Sequence, residues 1–232
     1  MKVAIMQPYF FPYIGYFQLI NSVDKFIFYD DVTFIKQGWI NRNRILLNNK
    51  DHLITLKLKG ASSNKLINEI EIIHNNGNLL KTIYQAYKKA PYFREISPII
   101  EEVFRTMESK TKISEISEIS VKRVSKYLGL NTEFETSSEL YFNTRFLTKE
   151  NRLIEICKEN KADIYINPYG GESLYDKSNF KEKEIKLFFI KNNIVSYNQF
   201  KSEFVPALSI IDVLMFNHPE IIKEMLRQYV LF

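Results

Sequence analysis

The chain has 232 residues, of which 45% are hydrophobic and 25% are charged, and its formal net charge is +5. This composition supports a sizeable hydrophobic core and excludes a wholly disordered chain. No apolar run approaches the roughly 18 residues that a membrane-spanning helix needs, so no membrane span is expected. The single cysteine, Cys157, excludes an internal disulfide, and its apolar surroundings "LIEICKEN" predict a buried, unreactive thiol.

The surroundings of the protein are predicted from its first residues and its charge. The start of the chain has one lysine and an apolar run too short for a signal peptide, which with the low cysteine content predicts a cytoplasmic protein. A basic excess attracts nucleic acid or anionic substrates, but lysine is spread over the whole sequence. We therefore expect no membrane partner and no nucleic-acid partner, and the oligomeric state stays open.

The first predicted elements are a buried strand, "KVAIM", then a loop, a short helix and a second strand, "KFIFYD". This order is typical of a right-handed unit whose two strands are parallel. Ligands of parallel sheets bind at the carboxyl ends of the strands. The loop after the first strand, and Asp30 and Asp31 after the second, are both expected at that edge.

A hairpin and a helical segment are predicted next. The stretches "RNRILL" and "HLITLKLK" have the pattern of strands joined by the turn "NNKD". Helices are expected throughout residues 75–130. One of them is predicted to have Ser97 as its cap and Pro98 as its first residue, and another to end near Gly129.

Strands and helices alternate again in residues 131–232, which are predicted to end with the helices "SIIDVLMFN" and "PEIIKEMLRQYV". The expected fold is therefore α/β, with a mainly parallel sheet, a Rossmann-like start and a central helical segment. We expect the segments 1–74, 75–130 and 131–232 to form one compact unit.

The loop after the first strand is rich in aromatic residues. Five aromatic residues, two prolines and one glycine lie between Gln7 and Tyr16. The rings either cap the sheet as a hydrophobic plug or offer flat surfaces to a sugar or a base, with the prolines fixing the loop in advance. One superfamily of nucleotidyl-transferring enzymes has an H-x-G-H motif at this place, where the present chain reads "YIGY" and lacks both histidines.

Charged and amide side chains are concentrated between Asp30 and Arg44. Asp30 and Asp31 are adjacent, so they point to opposite faces of an extended chain. In "NRNRI" the arginines alternate with asparagines, and neither face is apolar before Ile45. Arginine suits phosphate or carboxylate and asparagine suits sugar hydroxyls. This pattern favours a ligand cradle, and an Asp–Arg ion-pair network on an exposed edge is the alternative.

Two further patterns lie in the second half of the chain. The predicted strand "ADIYINP" leads into the glycine turn "YGGES", which either presents free N–H groups to an anion or is an ordinary tight turn. Ser209 and Asp212 fit a variant of the capping box, with Ser209 as the helix cap. The scattered histidines and the missing nucleotide and serine-nucleophile motifs argue against a metal hydrolase, a dinucleotide enzyme and a serine hydrolase.

Taken together, "AIMQPYFFPYIGYFQLI", "FIFYDDVTFIKQGWINRNRI" and "FVPALSIIDVLMFN" resemble the WbqC-like family, which is associated with gene clusters for O-antigen and other surface polysaccharides. Members of the family often carry histidine where this chain has Met6, so a histidine-dependent step is not implied here. The matching positions are collinear and are Gln7, Pro8, Pro12, Gly15, Tyr16, Asp30, Asp31, Val32, Lys36, Trp39, Asn41, Arg42, Asn43, Arg44, Pro206, Leu208, Ser209 and Asp212.

The resemblance implies an enzyme of surface-polysaccharide assembly. The expected reaction is acyl or aminoacyl transfer to the amine of a nucleotide-linked amino sugar, with no required cofactor and no metal. The expected catalytic residues are Asp31, Asp30 and Lys36, with Asp31 as general base and Asp30 anchoring Arg42 or Arg44. The expected substrate-binding residues are Gln7, Tyr9, Tyr13, Gly15, Tyr16, Trp39, Arg42, Asn43, Arg44, Tyr169, Gly170 and Gly171.

Two other functions stay open at this point. A nucleotidyltransferase or ATP-dependent ligase with a degenerate H-x-G-H motif would bind ATP and need magnesium. A non-catalytic basic adaptor or RNA-binding domain would spread its aromatic residues along a basic sheet face. The concentration of aromatic residues in one loop argues against the last of these functions.

Overall fold

The computed structural model, which describes residues 1–74, 76–200 and 203–232, has an α/β fold with a mainly parallel central sheet. The strands are β1 (Lys2–Met6), β2 (Lys25–Phe28), β3 (Arg42–Leu47), β4 (Lys50–Thr55), β5 (Leu58–Lys59), β6 (Glu71–Ile72), β7 (Glu133–Thr136), β8 (Ile164–Pro168), β9 (Lys186–Asn192) and β10 (Tyr229–Leu231). The helices are α1 (Ile14–Asn21), α2 (Gly77–Tyr87), α3 (Phe93–Thr106), α4 (Ile113–Tyr127), α5 (Ser137–Leu140), α6 (Lys149–Glu159), α7 (Lys177–Lys181), α8 (Ile210–Phe216) and α9 (Pro219–Met225). None of the helices in the described segments is long and apolar enough to cross a bilayer.

The order of the strands alone indicates which edge of the sheet is suited to a ligand. In the described residues the main sheet has six strands in the order β10–β9–β8–β1–β2–β7, all parallel except β10. Numbered by their succession along the chain within this sheet, the strands read 6-5-4-1-2-3. Doubly wound sheets of this order bind ligands at the carboxyl edge where the order reverses. In this chain that switch point lies between β1 and β8, and the expected fold class is confirmed.

The two faces of the sheet are covered by separate hydrophobic layers. Neighbouring residues of a strand face opposite sides, so Ala4 belongs to the larger layer while Val3 and Ile5 belong to the smaller one. The larger layer contains residues from before, within and after the helical segment. Cys157 lies in the smaller layer, where burial raises the pKa of its thiol to about 12, so the predicted burial of the thiol is confirmed.

Several local predictions are confirmed. The hairpin of β3 and β4 turns at Asn48 and Asn49, both of which have the positive φ that such a turn requires. Helix α4 is followed by Gly129 at φ +67°, the left-handed conformation that ends many helices. Residue 75, the first residue of the predicted helical segment, lies outside the described residues.

Two element boundaries differ from prediction. Helix α3 begins at Phe93, so Ser97 does not cap it and Pro98 lies inside it. The buried faces of Ile96 and Ile100 hold the first turns in the core, and this packing outweighs the helix-breaking tendency of proline. The last predicted helix stops at Met225, because the chain beyond it pairs antiparallel with β9 as β10.

The aromatic loop is fixed by three distant parts of the chain. Phe11 has φ +40°, which is uncommon for a residue with a side chain. Its carbonyl oxygen accepts hydrogen bonds from Asn43 Nδ2 at 2.5 Å and from Ser209 Oγ at 2.7 Å, while its N–H donates to Ser120 Oγ at 3.0 Å. All three partners are buried. The hairpin, α4 and the start of α8 therefore hold the loop in one conformation.

Ser209 is the predicted cap of α8, and its Oγ accepts a hydrogen bond from the N–H of Ile211 at 3.2 Å. The expected partnership with Asp212 in a capping box is wrong. The Asp212 carboxylate instead accepts hydrogen bonds from the hydroxyls of Tyr87 and Tyr197 at 2.8 and 2.6 Å. The side chain points into the core because the buried phenol of Tyr87, the partly buried phenol of Tyr197 and the amide of Gln199 satisfy it there.

Replacing Ser209 with alanine removes both the helix cap and one of the two bonds to the Phe11 carbonyl. We expect Ser209→Ala to lower the free energy of unfolding by about 2 kcal/mol, measured by urea denaturation. Thr148→Ala is the matched control, because Thr148 stands at the same position of α6 and its side chain makes no capping bond. Equal losses in the two variants would show that neither the cap nor the Phe11 contact of Ser209 contributes.

Candidate functional site

A cavity of about 380 Å³ opens at the switch point of the sheet. Met6 and Pro168, the last residues of β1 and β8, both line it. Its volume falls within the range of small-molecule sites. The other residues that line the cavity come from the aromatic loop, the hairpin region, the turn after β8 and the approach to α8, and they are Tyr9, Pro12, Tyr13, Trp39, Asn43, Arg44, Gly170 and Ala207.

Arg44 gives the cavity its chemical character. Among the described residues that line the cavity, it is the only one with a formal charge. Its guanidinium lies 5.7 Å from the ring centre of Trp39, and one terminal nitrogen lies 3.4 Å from Asp51. The Nε atom is buried and has no hydrogen-bond partner among the described residues. A buried donor without a partner is costly, and the positive charge that Arg44 brings to the wall suits an anionic acceptor.

Two tyrosines of the loop form the apolar part of the wall. Burial raises the pKa of Tyr9, helped by the neighbouring Tyr13, and burial also raises the pKa of Tyr13. Both phenols are therefore neutral at neutral pH. The Tyr9 ring packs on Tyr16, whose centre lies 5.6 Å away and whose hydroxyl donates to the carbonyl oxygen of Gln7 at 2.8 Å. Tyr16 is buried beneath the cavity and belongs to the core.

The three glycines expected at the site have different reasons to be glycine. A Cβ on Gly15 would come within 2.3 Å of the Tyr13 ring, so Gly15 makes room for that ring. A Cβ on Gly171 would come within 2.0 Å of the Asn167 amide, so its reason is also packing. A Cβ on Gly170 would have no neighbour within 4 Å, and this glycine lines the cavity. The fold does not require a glycine there.

Six of the residues expected to bind substrate line the cavity: Tyr9, Tyr13, Trp39, Asn43, Arg44 and Gly170. The cavity is not lined by the other expected binding residues or by Lys36, which was expected to be catalytic; those other residues are Gln7, Gly15, Tyr16, Arg42, Tyr169 and Gly171. Lys36 is exposed, Arg42 donates from Nε to the carbonyl oxygen of Gly38 at 3.0 Å, and Tyr169 packs against Phe232. Their roles in binding stay predictions.

Some residues at the site had no signal in the sequence. Met6 and Pro168 become recognisable only as strand ends at the switch point, while Pro12 and Ala207 are brought to the wall by chain packing. In the described segments, no group of three or more His, Cys, Asp or Glu side chains is placed to hold a metal ion.

The two aspartates lie in a second polar cluster, at the carboxyl ends of β2 and β7. Asp31 is fully buried and accepts hydrogen bonds from Arg152 at 2.6 Å, Arg145 at 3.0 Å and Ser137 at 2.5 Å. Asp30 accepts from Ser137 Oγ at 3.1 Å, and from the N–H and Oγ of Ser138 at 3.0 and 2.7 Å. Neither aspartate is among the residues that line the cavity.

The expected contact between Asp30 and Arg42 or Arg44 is wrong: the described residues show no hydrogen bond or ion pair between them. The reason lies in the order of the strands. The strand beside β2 is β7, and the hairpin that carries both arginines forms a separate two-stranded sheet. The residues that follow β2 therefore meet those that follow β7.

The surroundings of Asp31 determine its ionisation. Burial alone would raise its pKa, but the hydrogen bonds and charge of Arg152, with Ser137 and Arg145, outweigh burial and lower the pKa below its ordinary value. Asp31 is thus a stable carboxylate of reduced basicity. Its role as a general base stays a prediction.

Glu118 is an ionisable group of this cluster that the sequence did not indicate. Its carboxylate accepts hydrogen bonds from Thr136 Oγ1 at 2.9 Å and Lys122 Nζ at 3.1 Å. Burial raises the pKa of Glu118 from 4.5 to about 7, against the opposing effects of Lys122 and Thr136, and nearby Asp30 raises it further. A carboxyl group in this position exchanges its proton near neutral pH.

The raised pKa of Glu118 makes stability depend on pH. Between about pH 4.5 and 7 the folded protein holds this proton more tightly than the unfolded chain, so the unfolding free energy should fall as pH rises through that window. The whole effect is up to about 3 kcal/mol. Glu118→Gln should remove it, as measured by denaturation at a series of pH values.

The control for this experiment is Glu115→Gln on the same helix, where the carboxylate forms a half-exposed ion pair with Lys110. This variant should keep the pH dependence of the parent. If Glu118→Gln also keeps it, the raised pKa is wrong.

The strand order defines a doubly wound α/β protein with a cavity at its switch point. The chain belongs to the WbqC-like protein family, whose model matches residues 7–224. It is 31% identical over 220 residues, 92% of each chain, to the uncharacterized protein Rv1507c of Mycobacterium tuberculosis. No solved structure matches it. The family expected from the sequence is confirmed.

Proposed function

We propose that the protein is a transferase of surface-polysaccharide assembly that binds a nucleotide-linked amino sugar and adds an acyl or aminoacyl group to the sugar amine. The observation that carries the proposal is the cavity at the switch point, whose charged wall residue, Arg44, has a buried and unused N–H donor. The association of the family with surface-polysaccharide gene clusters supports the pathway.

The wall of the cavity matches the parts of such a substrate. The rings of Tyr9, Tyr13 and Trp39 offer flat surfaces on which a base or a sugar can stack. The Arg44 guanidinium supplies a charge-assisted hydrogen bond for a phosphate oxygen. Since no carboxylate is among the described residues that line the cavity, nothing on the wall repels a diphosphate.

In the proposed transfer, the amine nitrogen forms a bond to the carbonyl carbon of the donor while the bond to the leaving group breaks. An amine must lose its extra proton before it can attack. An apolar wall and the positive charge of Arg44 both disfavour the ammonium form, so the cavity itself favours the neutral, nucleophilic amine. After the new bond forms, the nitrogen loses one further proton, which leaves with the departing group or passes to water.

Binding is tested by a thermal-shift screen of the protein with UDP-linked amino sugars, acyl donors, and ATP with and without magnesium. We expect the amino-sugar nucleotides to raise the melting temperature, as a ligand at about a hundredfold its dissociation constant adds about 2.7 kcal/mol. Arg44→Gln should weaken their binding by about tenfold or more, because it removes a charge-assisted hydrogen bond.

Arg123→Gln is the matched control, since Arg123 is also half-exposed and pairs with a single carboxylate, that of Glu102. Binding in this variant should equal that of the parent. Stabilisation by ATP and magnesium alone would reject the amino-sugar substrate in favour of a nucleotidyltransferase or ligase.

A further inference from the structure

A chain of hydrogen bonds leads from the cavity to the C-terminal elements, and its direction is fixed at the far end. Gln18 of α1 is fully buried, and its Nε2 donates to the carbonyl oxygens of Met225 at 2.8 Å and Gln228 at 2.9 Å. Carbonyl oxygens only accept, so the atom that faces them must be the NH₂ group of the amide. The oxygen of Gln18 is therefore the acceptor on its other side.

Asn192, the last residue of β9, is the next residue in this chain of hydrogen bonds. Its Nδ2 donates to Gln18 Oε1 at 2.8 Å and to the carbonyl oxygen of Gly15 at 3.2 Å. Both of these partners are acceptors, so the amide orientation of Asn192 is fixed as well. Its Oδ1 consequently faces the Tyr13 hydroxyl, at 3.0 Å.

Among the described residues, the acceptor for the Tyr13 hydroxyl proton is Asn192 Oδ1. Because Asn192 Oδ1 is an acceptor, the hydroxyl must donate to it, and only the lone pairs of the phenol oxygen remain for another partner. Tyr13 lines the cavity. We propose that Tyr13 accepts a hydrogen bond from an N–H or O–H group of the molecule bound in the cavity, and that Asn192 and Gln18 are positioning residues that hold its proton away from that molecule.

This inference deepens the proposed function and rests on it for the occupant of the cavity. Tyr13 requires a donor from the ligand, whereas the guanidinium of Arg44 on the same wall favours an acceptor. A ligand with an amino or hydroxyl group at one end and an anionic group at the other satisfies both, and it fits in one direction only. Burial raises the pKa of Tyr13, so the phenol acts as a neutral acceptor and not as a base.

The direction of the Tyr13 hydroxyl is tested first without ligand. In protein with isotope-labelled tyrosine, NMR should show a Tyr13 hydroxyl proton that exchanges slowly with water and lies close to the Asn192 side chain, assigned by its loss in Tyr13→Phe. In Asn192→Leu the exchange should become about tenfold faster, the scale of one net hydrogen bond. The hydroxyl of Tyr197, which donates to Asp212 at 2.6 Å, is the internal control and should not change.

A Tyr13 proton that points away from Asn192, or an exchange rate equal in parent and Asn192→Leu, would overturn the proposal. The position of the proton in the parent decides the matter even if Asn192→Leu does not fold.

The ligand side is tested with UDP-glucosamine, UDP-glucose and UDP-2-deoxyglucose, which carry an amino group, a hydroxyl group and hydrogen at the same carbon. Tyr13→Phe keeps the ring over Gly15 and removes the acceptor, so it should weaken binding by about tenfold. A loss for UDP-glucosamine alone assigns an amine donor, and a loss also for UDP-glucose assigns either group. A loss for all three assigns a donor elsewhere on the ligand.

Unchanged binding of all three probes in Tyr13→Phe would overturn the proposed contact. Tyr84→Phe, on α2 and outside the residues that line the cavity, is the control and should bind like the parent. If none of the probes binds the parent, the proposed substrate is wrong. The ligand-free measurement still decides the direction of the Tyr13 hydroxyl.

Discussion

One backbone carbonyl, that of Phe11, joins the three parts of the chain on which the site depends. It accepts hydrogen bonds from Asn43 of the hairpin and Ser209 at the start of α8. The left-handed conformation of Phe11 is unfavourable by itself and persists because these partners compensate for it. The loop is therefore held in one conformation by the rest of the chain, which would lower the entropy cost of binding a ligand there. The expected hydrophobic plug is confirmed for Phe10 and Phe11, which are buried, while Tyr9 and Tyr13 line the cavity and their stacking on a sugar or a base stays a prediction.

Much of the family pattern is explained by this construction and not by chemistry. Asn43 and Ser209 hold the loop, Gly15 makes room for the Tyr13 ring, and Asp212 is a buried acceptor for Tyr87 and Tyr197. Among these residues Asn43 lines the cavity, while Ser209, Gly15 and Asp212 hold or pack the elements around it. A chain can retain them whatever molecule it binds, so the family pattern specifies the shape of the site more closely than its substrate.

The sequence predicts the fold well because the long apolar runs of β1, β2, β8 and β9 and the turn residues between elements are local signals. It does not reveal that β7 lies beside β2, because four strands separate them along the chain and pairing at that distance depends on packing. The expected partners of Asp30 were wrong for this reason. The sequence also gives no sign of the roles of Gln18 and Asn192, because these roles depend on distant contacts. The direction of a hydrogen bond between two amide side chains is known only when the backbone carbonyls that accept from the last amide are known.

Arg152 and Arg44 differ in how far their charge is already neutralised within the described chain. Arg152 is buried and its charge is fully used by Asp31, so it is not available to a ligand. Arg44 keeps a weak contact to Asp51 and a buried Nε without a partner in the described chain. A buried donor left unsatisfied costs about 1–3 kcal/mol, and a folded chain tolerates such a cost where binding removes it. Under the proposed function, an anionic group that reached this nitrogen would remove that cost, so Arg44 would both lower the stability of the empty protein and raise its affinity for an anion.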